Sequence, residues 1–280
     1  MSLQKLEQSP QAIVAFARDY PAGYLISRHQ HERAQLIHAS SGIMRVDTPN
    51  GIWVVPPMRA IWVPPQVPHE IRANSTVKMR TLFFCSDVRS GLPEAFNRRT
   101  AQTGHPCNHP PAQCCVIEVT PLLRELILRM VALSEAEPGV TPSVHLTELI
   151  LSEIREIDAL PLHIPMPEDT RVRRICQAIL QDPSDCRTSA EWGATVGASS
   201  RTLERLFHKE TGITFGSWRR QARLLAAMTQ LAAGRPVANV AGDLGYDSPS
   251  AFTAMFKRVL GHPPSQFCPS LTQRELPTDR

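Results

Sequence analysis

Residues 201–218, RTLERLFHKETGITFGSW, read as a short amphipathic helix, a glycine stop and the start of a new helix. Residues 250–267, SAFTAMFKRVLGHPPSQF, repeat that pattern. Leu203 and Phe252, Phe207 and Phe256, Gly212 and Gly261, and Trp218 and Phe267 all stand 49 positions apart. The likeness extends upstream, where Trp192-Gly193 precedes Val196-Gly197 and Val240-Ala241 precedes Leu244-Gly245 at an offset of 48. The second copy therefore carries one extra turn residue. Each copy reads as helix, tight glycine turn, helix. Thr188 and Glu191 fit a capping box for the first helix and Ser199 fits a cap for the second. A small residue, Gly193 or Ala241, lets the two helices cross closely. Leu203, Leu206 and Phe207 face inward at i, i+3 and i+4, which leaves Arg201, Glu204, Arg205 and His208 on the exposed face.

One helical hairpin of this kind is common in compact helical proteins. Two copies, joined by the long helical stretch FGSWRRQARLLAAMTQLAAG (215–234), are far more specific. A helix-turn-helix places its second helix in a DNA major groove. A connecting helix of about 19 residues spans about 28 Å, against about 34 Å between successive major grooves on one DNA face. The repeat thus matches the repeat of the groove. The first recognition helix offers Ser200, Arg201, Thr202, Glu204 and Arg205, and the second Ser248, Ser250, Thr253, Lys257 and Arg258. A charged solvent face is the plainer account of Arg201 and Arg205. Like charges at i, i+4 are mildly unfavourable in isolation, so a polyanionic partner explains them better.

Charge divides along the chain in the same sense. Residues 1–168 hold 15 Lys and Arg against 16 Asp and Glu, and residues 169–280 hold 15 against 10, so the net charge of +4 sits entirely in the C-terminal part. The N-terminus lacks an apolar core for a signal peptide, and its best run, AIVAFA, is too short to span a membrane. The seven cysteines are odd in number and form no CxxC pair, which reads as reduced thiols in a cytoplasmic protein.

Up to about residue 119, short apolar runs alternate with Gly, Pro, Asn and Asp. GIMRVDT (42–48), GIWVVPP (51–57), AIWVPP (60–65), VKMRTLFF (77–84) and CCVIEV (114–119) read as strands, with a hairpin turn at Pro49-Asn50-Gly51. Such spacing suggests a barrel or sandwich. Two helical patterns follow. The first has Thr120 as N-cap and Pro121 at its first position, and the second sets Leu146, Leu149, Ile150, Ile154 and Ile157 along one stripe. Three prolines between 161 and 167 read as a stiff linker. The expected fold class is α+β multidomain: an N-terminal β-barrel with two helices over 1–160, a linker over 161–168, an all-α domain with two helix-turn-helix motifs over 169–268, and a tail over 269–280.

On these residues the C-terminal part, 169–268, resembles the DNA-binding domain of the AraC/XylS family of bacterial transcription regulators. The pattern is carried by SSRTLERLFHKETGITFGSWRRQARL and VAGDLGYDSPSAFTAMFKRVLGHPPSQF. It departs from the family at Gly193, where Ala is usual, and at Ala254, where a polar or basic residue is common. The N-terminal part resembles the cupin motifs G-x5-H-x-H-x3-E-x6-G and P-x-G-x2-H through Gly23, His29, His31, Gly42, Pro64 and His69. Gln35 replaces the usual Glu and Gln66 the usual Gly. On a strand, His29 and His31 share a face. With Gln35 and with His69 from a neighbouring strand, they could converge inside the barrel as a site for Zn²⁺, Ni²⁺ or Fe²⁺. The alternative is that they line the barrel or touch an effector. Trp53 and Trp62 read as core or pocket wall.

The two resemblances together imply a sequence-specific DNA-binding transcription regulator, activator or repressor. Its partners would be double-stranded DNA, a small-molecule effector in the barrel, a second copy of the chain in a homodimer, and RNA polymerase, with no membrane. The competing class is a cupin-type metal-dependent oxygenase or isomerase. Gln35, the lack of an acid/base pair beside the histidines, and the appended helices weigh against it.

Overall fold

A computed structural model describes residues 9–85, 113–136, 144–154, 156–157, 162–260 and 263–267. His105, His109, Gly261, position 161 of the linker and the tail from 269 onward lie outside the described residues, as does the side chain of Ile157. The chain divides into two compact units, residues 1–163 and 164–280.

The first unit is built from β1 (Ile13–Tyr20), β2 (Leu25–His29), β3 (Ala34–Ser41), β4 (Met44–Thr48), β5 (Gly51–Val55), β6 (Arg59–Val63), β7 (His69–Ala73), β8 (Val77–Phe84) and β9 (Cys115–Glu118). Helices α1 (Pro121–Ala136) and α2 (Val144–Glu153) and the short strands β10 (Glu156–Ile157) and β11 (His163–Pro165) follow, β11 running across the division between the units. The strands form two sheets, β1-β8-β3-β6-β9-β10 and β11-β5-β4-β7-β2. All five strands read from the sequence are present. Six more, β1, β2, β3, β7, β10 and β11, join them. The hairpin of β4 and β5 pairs Thr48 with Gly51 around the expected turn.

Period-two alternation assigns the two faces of the first sheet. Leu36 pairs with Leu82 and with Trp62, and Ile13 with Phe84. These side chains form one buried cluster with Leu123, Ile127 and Met130 of α1 and with Ile150, Leu151 and Ile154 at α2. The helices therefore cover the outer face of this sheet. Thr120 caps α1, its hydroxyl accepting from the Leu123 N–H at 3.1 Å. The stripe expected on α2 is only partly right. Ile150 and Ile154 are buried, but Leu149 is 49% exposed and Leu151 takes the inward position. The opposite parity on β3 and β8 turns Gln35, Thr81 and Phe83 to the other face, toward the interior between the sheets.

The second unit comprises α3 (Thr170–Gln181), α4 (Ser189–Val196), α5 (Ser200–Thr211), α6 (Phe215–Ala232), α7 (Val237–Asp243), α8 (Pro249–Leu260) and a 3-10 turn at Pro264–Phe267. The repeat is visible in the core. Leu203 and Phe252 are both fully buried, as are Phe207 and Phe256. Trp218 is fully buried at the head of α6, while Phe267 meets Phe256 edge-on at 5.1 Å. Both halves of the capping box at Thr188 and Glu191 form. Ser199 accepts from the Thr202 N–H. Gly197 and Gly245, the two turn glycines, adopt φ of +68° and +73°, the left-handed conformation that an L side chain resists.

Candidate nucleic-acid interface and histidine cluster

The arginines of the second unit fall into two groups. One group is tied into the fold. Arg223 of α6 donates to the carbonyls of Pro183, Ser184 and Asp185, and Arg219 donates to that of Arg187. Arg187 pairs with Asp185 and lies 3.6 Å over the ring of Trp192, while Arg173 donates to Pro167 and Arg235 pairs with Asp243. These cations act as braces for the loops around α4 and α6.

The other group lies mainly on α5 and α8, with Arg174 of α3 also exposed and unengaged among the described residues. Arg201, Arg205, Lys257 and Arg258 are exposed, and no hydrogen bond or ion pair engages them among the described residues. Glu204, one turn after Arg201 and next to Arg205 in sequence, is half-buried. Ser250 is exposed and Thr253 half-buried on α8. Ser200, Thr202 and Ser248 also make local bonds. The Ser200 hydroxyl meets that of Ser189 at 2.8 Å, Thr202 meets Ser199 at 2.9 Å, and Ser248 accepts from the Ala251 N–H at 3.1 Å. They fix the entries of the two helices.

In the first unit the four residues singled out from the motif converge. The register places His29 opposite His69 across β2 and β7. His31 lies in the loop after β2 rather than on the strand, so it reaches the cluster through the turn and not through strand periodicity. One ring nitrogen from each of His29, His31 and His69 lies within 4.8 Å of the others. His31 and His69 are buried and His29 is half-buried.

The hydrogen bonds set the tautomers. Each Nδ1 faces a backbone carbonyl: His29 that of Ser27 at 2.8 Å, His31 that of Arg33 at 2.5 Å, and His69 that of Val67 at 2.9 Å. A carbonyl can only accept, so each Nδ1 carries the proton, and in a neutral ring Nε2 is then a bare lone pair. Burial, with a smaller effect from the other two histidines, pushes His69 down to about 4, which keeps it neutral near pH 7. Gln35 Nε2 donates to Thr81 Oγ1 at 3.1 Å, whose own proton goes to the Leu36 carbonyl at 2.8 Å. That orientation turns Gln35 Oε1 toward His31 Nε2 at 2.9 Å and His69 Nε2 at 3.2 Å. With neutral rings, the contacts to Gln35 are satisfied either by turning its carboxamide so that the NH2 group faces the two Nε2 atoms, or by a cation bound by all four atoms. Anchoring of each Nδ1–H on a carbonyl is also the outer-shell pattern of metal-binding imidazoles. The donor set fits a borderline transition metal.

Sequence reasoning missed two buried histidines. His38, on the outer face of β3, and His163, stacked at 3.8 Å on Trp53, are each held neutral by burial at about 4. Trp53 is satisfied by Thr48 Oγ1 at 3.1 Å, and Trp62 belongs to the outer-face cluster. The motif also hides a strained position. Gln66, standing where the cupin pattern has Gly, has φ of +62°.

Comparison with known proteins agrees with both halves. Residues 11–154 match the family described as the AraC-like ligand binding domain, and residues 192–268 match a helix-turn-helix domain family. The HTH-type transcriptional regulator NimR of Escherichia coli K12 is 31% identical over 244 residues, covering 87% of this chain and 82% of that protein. The arabinose operon regulatory protein of the same organism is 32% identical over 127 residues, covering 45% of this chain and 43% of its own length. Among solved structures, ToxT of Vibrio cholerae aligns over 92% of this chain and 97% of its own at 11% identity and a TM-score of 0.38, too loose a likeness to add weight. No helix among the described residues is long and apolar enough to cross a membrane. An AraC-like ligand-binding domain followed by a helix-turn-helix DNA-binding domain, with a relative matched over most of its length, places this chain in the AraC family of DNA-binding transcription regulators.

Proposed function

We propose that the second unit reads two successive major grooves on one face of double-stranded DNA, with α5 in one and α8 in the other, and that an effector in the first unit controls this binding. The observation that carries the reading is the division of the cations: those near α4 and α6 are bonded within the fold, while those on α5 and α8 are exposed and unengaged. Arg201 and Arg205 can donate to guanine O6 and N7, and Glu204 can accept from cytosine N4. Ser250, Thr253, Lys257 and Arg258 suit phosphate or methyl contacts. The 18 residues of α6 span about 27 Å and act as the spacer. Ser200, Thr202 and Ser248 hold the entries of the reading helices.

His29, His31, His69 and Gln35 are proposed to hold a divalent transition metal as part of the sensing site. No catalytic role is assigned, since Gln35 occupies the place of the usual carboxylate and, among the described residues, no carboxylate joins the ligand atoms. A homodimer is proposed on the exposed Leu122, Val144 and Leu149 of α1 and α2. The working limits are 1–160 for sensing and dimerisation and 169–268 for DNA binding. The setting is the cytoplasm, with RNA polymerase as a partner at the promoter.

A footprint of the full chain on DNA upstream of its own gene, beside salt titrations of fragment 169–280, tests this. Two protected windows about one helical turn apart, with affinity falling steeply as salt rises, are expected. A folded fragment whose DNA affinity ignores salt would overturn the assignment.

A further inference from the structure

The charge of the histidine cluster bears on the chemistry of the effector. As metal ligands all four converging groups would be neutral donors: three imidazoles bound through Nε2 with their Nδ1 protons on backbone carbonyls, and one carboxamide oxygen. Among the described residues no carboxylate joins the ring of ligand atoms. Glu70, next to His69 in sequence, points to the opposite face of β7 and lies 3.7 Å from Arg72. Arg33, in the loop that carries His31, is buried and donates through its guanidinium to the carbonyls of Gln11 and Ser9, while Glu32 beside it is exposed, so the loop adds no net charge. A divalent ion held here keeps its whole double charge in a half-enclosed site, where opposite charges attract far more strongly than in water. A Glu at position 35 would halve that excess. Gln35 leaves it for a ligand to neutralise. Solvent reaches the cluster on the side of His29, the half-buried member, which stands at the end of edge strand β2.

We infer that the effector of this barrel is a small carboxylate-bearing molecule that binds at the metal ion held by His29, His31, His69 and Gln35. The inference rests on the metal reading given above and adds the charge of what completes the site. Gln35 is the specificity-determining residue, because its neutral oxygen joins the ligand set without supplying the negative charge that the effector brings.

The test uses the full chain loaded with Co²⁺, whose visible spectrum reports its ligands. Metal content is measured first, and sodium acetate is then titrated against acetamide as the neutral control. Acetate is expected to shift the cobalt bands saturably and to raise the melting temperature of loaded protein, but not of metal-free protein. Acetamide should do neither. Gln35→Glu is expected to retain cobalt and to bind acetate at least ~10-fold more weakly. Stoichiometric cobalt with no acetate response in the wild-type chain overturns this inference and leaves the metal reading standing. Equal acetate affinity in wild type and Gln35→Glu also overturns it. Absence of cobalt uptake overturns the metal reading and the inference together. The wild-type titration decides the matter even where Gln35→Glu does not fold.

Discussion

A Cβ added to Gly193 would stand 2.4 Å from the carbonyl oxygen of Ala198. The obstruction is backbone from the turn that links α4 to α5, and Gly193 already accepts the Ala198 N–H at 2.9 Å. The turn has closed down onto the helix at the one position where no side chain intervenes. Gly193→Ala is therefore expected to destabilise the helical unit by about 1–3 kcal/mol, despite alanine's better helix propensity of about 1 kcal/mol. Thermal melting of fragment 169–280 checks it. A variant that melts at or above the wild-type temperature would show that the turn gives way cheaply.

At Gln66 the expectation has the opposite sign. Its φ of +62° is left-handed, and its side chain makes one exposed bond, accepting from Gln30 at 3.0 Å. A left-handed L residue costs roughly 1–2 kcal/mol, while glycine returns roughly 0.5–1 kcal/mol through unfolded-state entropy. Gln66→Gly should leave the Gln66 N–H bond to the His31 carbonyl in place and stabilise the barrel by up to about 1 kcal/mol. Urea unfolding of the full chain measures this, and a lower midpoint for the barrel transition would refute it.

Acid should weaken the barrel through its buried histidines. Burial is the main cause that holds His38 at about 4, offset by its bond to the Arg59 carbonyl and reinforced by the positive charge of Arg124. Above pH 6.5 neither folded nor unfolded chain protonates this ring, and it contributes no pH dependence. Between 6.5 and 4 the unfolded chain gains the proton and the folded one does not, so stability falls, by about 3 kcal/mol at most. Below 4 the loss levels off. His38→Leu also removes a buried Nε2 that has no hydrogen-bond partner among the described residues. Its melting temperature should decline less steeply between pH 6.5 and 4, with His69 and His163 supplying the remaining slope. An unchanged slope would show that His38 titrates normally.

How much of this was legible beforehand depended on whether a residue's duty is local. The repeat, the caps at Thr188 and Ser199 and the αL glycines follow from bonds within a few residues, and all were readable. His29, His31, Gln35 and His69 were readable because their spacing is a motif. Strand β2 was not, since its side chains are mostly solvent-facing and it offers no apolar run to detect. His38 gave no local signal either, because its burial depends on α1, some eighty residues further on. Arg219, Arg223 and Arg201 look alike in the sequence. Only the carbonyls of the loop at 183–187 separate the first two as braces from the third.

The two helices proposed to read DNA, α5 and α8, should fail differently. Arg205→Ala is expected to cost roughly 1–3 kcal/mol of DNA affinity and to relax base preference within one half of the operator. Lys257→Ala should weaken all sequences about equally and reduce the salt slope by about one unit. Selections from randomised operators with each variant compare them. If Lys257→Ala changes the preferred sequence while Arg205→Ala lowers affinity uniformly, the roles are reversed.

The strand order of the first unit also governs how the chain comes off the ribosome. β1 pairs with β8, Ile13 opposite Phe84, and β6 waits for β9, Ile61 opposite Val116. Partners so distant in sequence close slowly, whereas the helices of the second unit pack mainly on near neighbours and fold quickly. The slow half is therefore synthesised first. Until residue 118 has emerged, β6 presents an unpaired apolar edge, Ala60 to Val63, to whatever nascent chain or chaperone lies nearby. Expression of this regulator should be limited by the barrel, and slower translation between residues 85 and 118 would lengthen the exposure of that edge.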